Sequence, residues 1–379
     1  MSGRLFFCFS WLWLLLAITG CQHGRPHFYP LGIYGVPSTN DLAVLRETGF
    51  NLVTGPAEKS FLDAAQANGL KVLAAPHTSA GPQFNARAAR EAVKQFDGHP
   101  ALWAWYLIDE PDLNRVPPDA VWRAQRFMKS LPARRPTALV LFKGSEALHY
   151  ANIADITMID RYPVPWLPLA NFGQNVRQTR LALGRGKPMI AVIQAFDWAC
   201  YPELMGPETG LRPPNYAELR CMAYGALAQQ ATGLFFYAFD DGRWKLREHP
   251  EVWQAVQRIV KEIQQRQPLF QAEHCWWPYD HHFQDRIHRF NAALESSITP
   301  CLLRMSQGAG EIPAGDYILA VNTTDQTHVY SLSSPVLPDG SLSVFEEERE
   351  VRVDKHGFTD TFAPYAVHVY GPFAAVRKF

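Results

Sequence analysis

Apolar runs alternate with helix-like stretches through most of this chain. Short runs rich in apolar and aromatic residues occur at 29–34, 51–54, 71–75, 103–108, 138–142, 156–159, 189–194 and 234–239. Strands read this way when both faces of a parallel sheet are covered. Between them the polar positions fall at helical spacing, over 85–96, 119–131, 170–183, 216–231 and 250–265, with the faintest helical pattern at 144–153. Local punctuation supports the same division. Ser38 and Asp41 are placed to cap a first helix that stops at Gly49, a second ends at Asn68-Gly69, and Asn215 and Glu218 have capping-box spacing.

Eight strands, each followed by a helix, predict a (β/α)8 TIM barrel over residues 28–268. An open doubly wound sheet would place a glycine-rich dinucleotide turn after its first strand. Here that turn reads Gly32-Ile33-Tyr34-Gly35-Val36-Pro37, which is not such a fingerprint. Beyond Gln267-Pro268 the pattern changes. Residues 275–379 show no convincing helical stretch, while 317–321, 328–332, 342–345 and 366–370 read as strands with turns such as Pro338-Asp339-Gly340. A small all-β, sandwich-like domain is therefore expected over 269–379.

The first twenty residues read as targeting sequence. Arg4 precedes an uncharged stretch, 5–18, too short to span a bilayer as a mature helix. It ends in Ile18-Thr19-Gly20-Cys21, which resembles a bacterial lipobox. Lipidation of Cys21 after loss of residues 1–20 would tether the chain to a membrane through a linker at 21–27. Gln22, rather than Asp, follows that cysteine, which favours the outer membrane of a bacterial envelope and a periplasmic or surface-facing protein.

Composition narrows the function. With 379 residues and 47% hydrophobic content the chain can bury a sizeable core. Lys+Arg and Asp+Glu balance at 36 each, so nothing electrostatic points to nucleic acid as partner. No Cys/His spacing suggests a metal, and no cofactor motif is present. Export permits disulfides, and pairing of sequence neighbours favours Cys200–Cys221 and Cys275–Cys301 among the three connectivities open to four cysteines. The eleven tryptophans serve mostly core and helix packing, but they are also what a sugar cleft needs, where pyranose faces stack on indoles.

The stretch Trp103–Asp112, WAWYLIDEPD, concentrates the chemistry. A buried strand ends in Asp109, Glu110 and Pro111, and barrel chemistry sits at C-terminal strand ends. Regular alternation puts Ala104, Tyr106, Ile108 and Glu110 on one face and Trp103, Trp105, Leu107 and Asp109 on the other. Glu110 is therefore expected in the mouth, with Asp109 bracing the loop. This stretch resembles strand four of glycoside-hydrolase-type barrels, and the resemblance extends to IDRYP at 159–163, QAFDW at 194–198 and FAPYAVHVY at 362–370. It implies that Glu110 is a catalytic acid, with a carbohydrate as substrate or ligand.

Glycoside hydrolysis needs a second carboxylate. Relatives of this type carry a nucleophilic glutamate at the end of strand seven, where this chain has Gln194. Asp160 after strand six is the first choice of partner, with Asp240 and Asp241 behind it; Asp197 is also at a strand end. Tyr34, His77, Arg161, Tyr162, Gln194, Trp198 and Tyr237 lie where they could line the substrate. The alternative is a non-catalytic barrel that binds carbohydrate at the cell surface.

Overall fold

The computed structural model describes residues 28–184, 186–206, 209–283 and 297–375. The signal-like segment, Cys8 and Cys21 lie outside them. Eight parallel strands close into a barrel in sequence order: β1 (Leu31–Ile33), β2 (Leu52–Thr54), β3 (Lys71–Ala74), β4 (Leu102–Ile108), β5 (Thr137–Leu141), β6 (Ile156–Asp160), β7 (Met189–Gln194) and β8 (Gly233–Tyr237). Around it run α1 (Leu42–Thr48), α2 (Lys59–Ala67), α3 (Ala86–Phe96), α4 (Pro118–Ser130), the single turn α5 (Ala147–Tyr150), α6 (Ala170–Leu183), the short α7 (Pro202–Met205), α8 (Tyr216–Ala228), α9 (Pro250–Gln265) and α10 (Gln267–Phe270). The expected TIM barrel is the fold adopted.

The two-sided burial that makes the strands uniformly apolar is visible in the cores. Leu52, Leu73, Ala104, Ala138, Val140, Met158, Val192 and Phe235 fill the barrel interior, whereas Val53, Trp105, Leu139, Ala191 and Phe236 pack outward against the helices. Most of the punctuation works as read, although Ser38 caps only a 3-10 turn ahead of α1 and Asp41 makes no side-chain capping bond. Gly49 closes α1 at φ 113°, a left-handed conformation that glycine adopts without steric cost. The Asn215 side chain accepts from Glu218 N while Glu218 accepts from Asn215 N, a complete capping box on α8. The faint pattern at 144–153 yields only a 3-10 turn and α5.

The rest is β structure. One antiparallel sheet has the order β15-β14-β17-β12-β11-β9, built from β9 (Glu273–Cys275), β11 (Ile298–Met305), β12 (Gly315–Asn322), β14 (Gly340–Val344), β15 (Arg349–Val353) and β17 (Val367–Phe373). Facing it is a three-stranded sheet, β10 (Asp280–Phe283), β13 (His328–Ser333) and β16 (Gly357–Phe362). Leu302, Ile318, Tyr370, Tyr330 and Phe362 form the core between the sheets. The opposite face of the large sheet, with Leu303, Leu319, Val321 and Val369, joins the outer core of the barrel. It does so over α8, whose residues are buried almost all round.

Neither expected disulfide, Cys200–Cys221 nor Cys275–Cys301, is formed. Cys275 lies opposite Leu302 on the neighbouring strand, so Cys301, one residue away, projects from the other face. Cys221 is buried on α8 with its Sγ 3.4 Å from Asn322 O.

Candidate active site

Both carboxylates of the DEP motif reach the barrel mouth, which strict alternation would forbid. The cause is a register irregularity in β4, where Tyr106 and Ile108 stand opposite the consecutive residues Ala138 and Leu139 of β5. An extra residue in a strand reverses the facing of everything after it. Tyr106 points inward, Leu107 and Ile108 both join the outer core, and Asp109 turns inward again. The Tyr106 hydroxyl donates to Asp109 Oδ1 at 2.5 Å. Glu110 then leaves the strand at φ 42°, an uncommon conformation for a residue with a side chain and one that clusters at functional sites. Its N–H donates to Val140 O at 3.1 Å, and its carbonyl accepts from Asn114 N at 2.9 Å. Asp112 completes the turn by accepting from Phe142 N and Lys143 N.

Asp160 ends β6 and is only 5% exposed. Its Oδ2 accepts from the Tyr162 hydroxyl at 3.2 Å, and Oδ1, buried, has no hydrogen-bond partner. Glu110 and Asp160 stand side by side, and two neighbouring carboxyl groups away from bulk water disfavour double ionisation. Burial, then the charge of Asp109, push Glu110 up to about 7. Burial and the charges of Glu110 and Asp109 raise Asp160 well above the usual carboxylate range. Asp109 occupies the open floor: water reaches it although protein surrounds it on most sides. Desolvation raises it, while the Tyr106 hydroxyl opposes the rise.

Phenols wall this floor. Tyr34 stacks edge-on with Tyr106 and Phe235 and lies 5.7 Å from Tyr237, ring to ring. Tyr162 contacts Tyr237 at 5.6 Å and Phe196 at 5.1 Å. Burial holds the Tyr34, Tyr106 and Tyr162 hydroxyls well above their ordinary pKa, so they remain neutral donors. Asp241 is the opposite case. It accepts from Tyr201 and Tyr237 hydroxyls and from Arg243 N and Trp244 N, and those bonds outweigh its desolvation and hold its carboxyl below the usual range. Asp240 turns away to accept from Gly242 N, and its carbonyl leaves room for no side chain at Gly35, where a Cβ would come within 2.5 Å. A recess of about 440 Å³ opens there, between the loops after β1, β2 and β8.

Other expected residues stand elsewhere. Gln194 is fully buried; Oε1 accepts from Val164 N, and Nε2 donates to Val164 O and Phe196 O. It anchors the loop after β6 and does not present its amide to the mouth. His77 stacks edge-on against Phe96 of α3, with Nε2 3.0 Å from Ala57 O, and sits on the outer rim. Arg161 donates to Asn171 Oδ1 and lies over the Phe142 ring. Asp197 accepts from Ala199 N. Trp198 joins the aromatic wall, 4.9 Å from Phe196 and 6.2 Å from Tyr162. Two contributors, Tyr201 and Trp166, were not expected; both lie on βα loops, in ACYP and VPWLP, where only their aromatic character marks them. Among the described residues, no three His, Cys, Asp or Glu side chains are grouped as a metal site.

A larger recess, about 970 Å³, lies at the other end of the barrel, lined by Phe28, Trp103, Arg180 and His274 among others. It is remote from the carboxylates.

No family model matches this chain, and no curated protein matches it in sequence. Solved structures share its fold. An α-amylase from Geobacillus thermoleovorans, in complex with acarbose, superposes with a TM-score of 0.55 at 12% identity, covering 88% of this chain and 90% of that one. A family 5 glycoside hydrolase from Bacteroides vulgatus gives 0.54 at 12% identity, over 90% and 88%. A family 42 β-galactosidase from G. stearothermophilus gives 0.53 at 8% identity, over 89% and 98%. At such identities the likeness is one of fold.

Proposed function

We propose that this chain hydrolyses a glycosidic bond of a carbohydrate, with Glu110 as general acid. The observation that carries this reading is the meeting of Glu110 and Asp160, both held above the usual carboxylate range, on an aromatic floor at the C-terminal end of the barrel strands. Glu110 is the more exposed partner and delivers the proton to the departing oxygen. Asp160, buried and with its pKa raised well above the usual range, is a positioning residue beside the acid. The role of base or nucleophile then passes to Asp109, the accessible carboxylate steadied by the Tyr106 hydroxyl. Asp241 stays ionised at the rim and holds the Tyr201 and Tyr237 hydroxyls in place. Glycosidases need one protonated and one ionised carboxyl group, and neighbouring sites of unequal environment supply both.

The second reading, a barrel that binds sugar without cleaving it, is favoured by Gln194, since β7 delivers no carboxylate to the mouth. A panel of glycosides and polysaccharides with product analysis separates the two. Cleavage that falls by on the order of 10²-fold or more in both Glu110→Gln and Asp109→Asn fits the enzyme. Binding without any cleavage by the wild type would leave the binding barrel. The resemblance of Ile18–Cys21 to a lipobox supports the further proposal that the protein works from a bacterial membrane surface.

A further inference from the structure

From the carboxylate floor a line of rings leads outward. Tyr162, whose hydroxyl contacts Asp160, touches the Trp198 ring at 6.2 Å, and Trp198 touches Trp166 at 6.0 Å with their planes 37° apart. Trp166 ends the line and is 39% exposed, next to Leu167 at 37%. Both tryptophans stand on loops that follow β6 and β7, hence on the mouth side of the barrel. Among the described residues the other exposed indoles, Trp122 and Trp276, lie on α4 and after β9, away from the βα loops.

The loop carrying Trp166 is held in place. Gln194 binds both backbone groups of Val164, and Leu167 N donates to Pro163 O at 2.8 Å, which closes a turn under the indole. An exposed aromatic on a fixed loop keeps its face to solvent at little entropic cost on binding. Its continuity with the acid pair tells what this exposed indole meets: a flat apolar ring beside carboxylates and phenols suits a sugar ring, which offers C–H bonds on its faces and hydroxyls at its edge. Asp241 stays ionised at the rim of the mouth, so a chain of uronic acids would meet like charge there.

We propose that Trp166 is a stacking platform for a neutral sugar unit beyond the one at the carboxylates, so the ligand is a neutral oligo- or polysaccharide chain. The proposal rests on the carbohydrate reading of the mouth. Gln194 acts through the loop as a positioning residue for the platform.

Affinity electrophoresis tests this with wild type, Trp166→Ala, Trp166→Phe and Glu110→Gln. The gels contain soluble starch, mixed-linkage β-glucan, xylan or galactomannan, with a polygalacturonate gel beside them. The expected result is retardation of the wild type and Glu110→Gln by at least one neutral polymer. Trp166→Ala should lose on the order of tenfold in affinity, and Trp166→Phe should recover much of it. Equal retardation of Trp166→Ala and wild type, retardation by polygalacturonate alone, or no retardation in any gel would overturn the platform. Hydrolysis of small aryl glycosides is measured in parallel. Cleavage without retardation sinks the platform and leaves the glycosidase; retardation without cleavage does the reverse.

Discussion

At the residue scale the governing fact is that carboxylates crowd where water is scarce. Burial and like charge raise Glu110 to about 7 and Asp160 further, so the folded chain binds protons more tightly than the unfolded one. Two outcomes follow from that direction. If Glu110 is the acid, its active form exists below its pKa, and kcat/KM should fall as pH rises through about 7. A pH profile on a substrate with a poor leaving group checks this, and a basic limb unmoved by Asp160→Asn would separate the two residues. Stability shows the same sign. The contribution of Glu110 is complete below its ordinary value of 4.5 and is lost as pH rises through about 7. Glu110→Gln removes the unfavourable ionisation, so its melting temperature should exceed that of the wild type by a few degrees at pH 8, and the gap should close at pH 5. A constant gap across that range would show that the glutamate is not the group under strain.

At the scale of elements, small irregularities decide which side chains meet. The extra residue in β4 turns Asp109 into the mouth, and the left-handed φ at Glu110 brings its neighbour after it. Gln194 shows the complementary effect, an inward position on β7 spent on the backbone of the next loop. Gln194→Glu should therefore create no new activity. It loses the donor to Val164 O and Phe196 O and sets a carboxylate against those carbonyls, a cost of roughly 1–3 kcal/mol in stability. Thermal denaturation measures the loss, and a gain of turnover in that variant would overturn this account of β7. Helix α8 carries another lesson. Its capping box was evident from Asn215 and Glu218, but its covering on nearly every side comes from the large sheet packed across it.

For the whole molecule, barrel and sheets share an outer core. Leu303, Leu319, Val321 and Val369 pack with the barrel's helices, so residues 269–379 are not a detachable appendage. A chain ending at residue 268 would expose the apolar sheet-facing side of α8, and it should aggregate or melt far below the full-length protein. A soluble truncation with an unchanged melting temperature would show the two parts to be independent. No helix among the described residues is long and apolar enough to cross a membrane. Membrane attachment through Cys21 is therefore tested directly: Cys21→Ser should abolish fatty-acid labelling and partitioning into detergent, while wild type that is soluble and unlabelled would end the lipoprotein proposal.

Sequence alone determined the layers. Strands buried on two faces must be apolar at nearly every position, and helices on the outside must be amphipathic, so the barrel was legible in the alternation of the two. The position of Glu110 at the mouth was legible too, because a charged pair cannot continue a buried strand. Only tertiary structure decided the rest. Facing in a strand depends on its register with its neighbour, and the irregularity opposite Ala138 and Leu139 is a property of two strands together. Strands such as Arg349–Val353 and Gly357–Phe362 were not read because their polar residues satisfy partners across the sheets, as Arg349 does with Asp360. The cysteines stayed apart because adjacent strands set Cys275 and Cys301 on opposite faces. Above all, the raised proton affinity of Glu110 and Asp160 arises because barrel closure brings the ends of β4 and β6 together in a place where neither charge is well solvated.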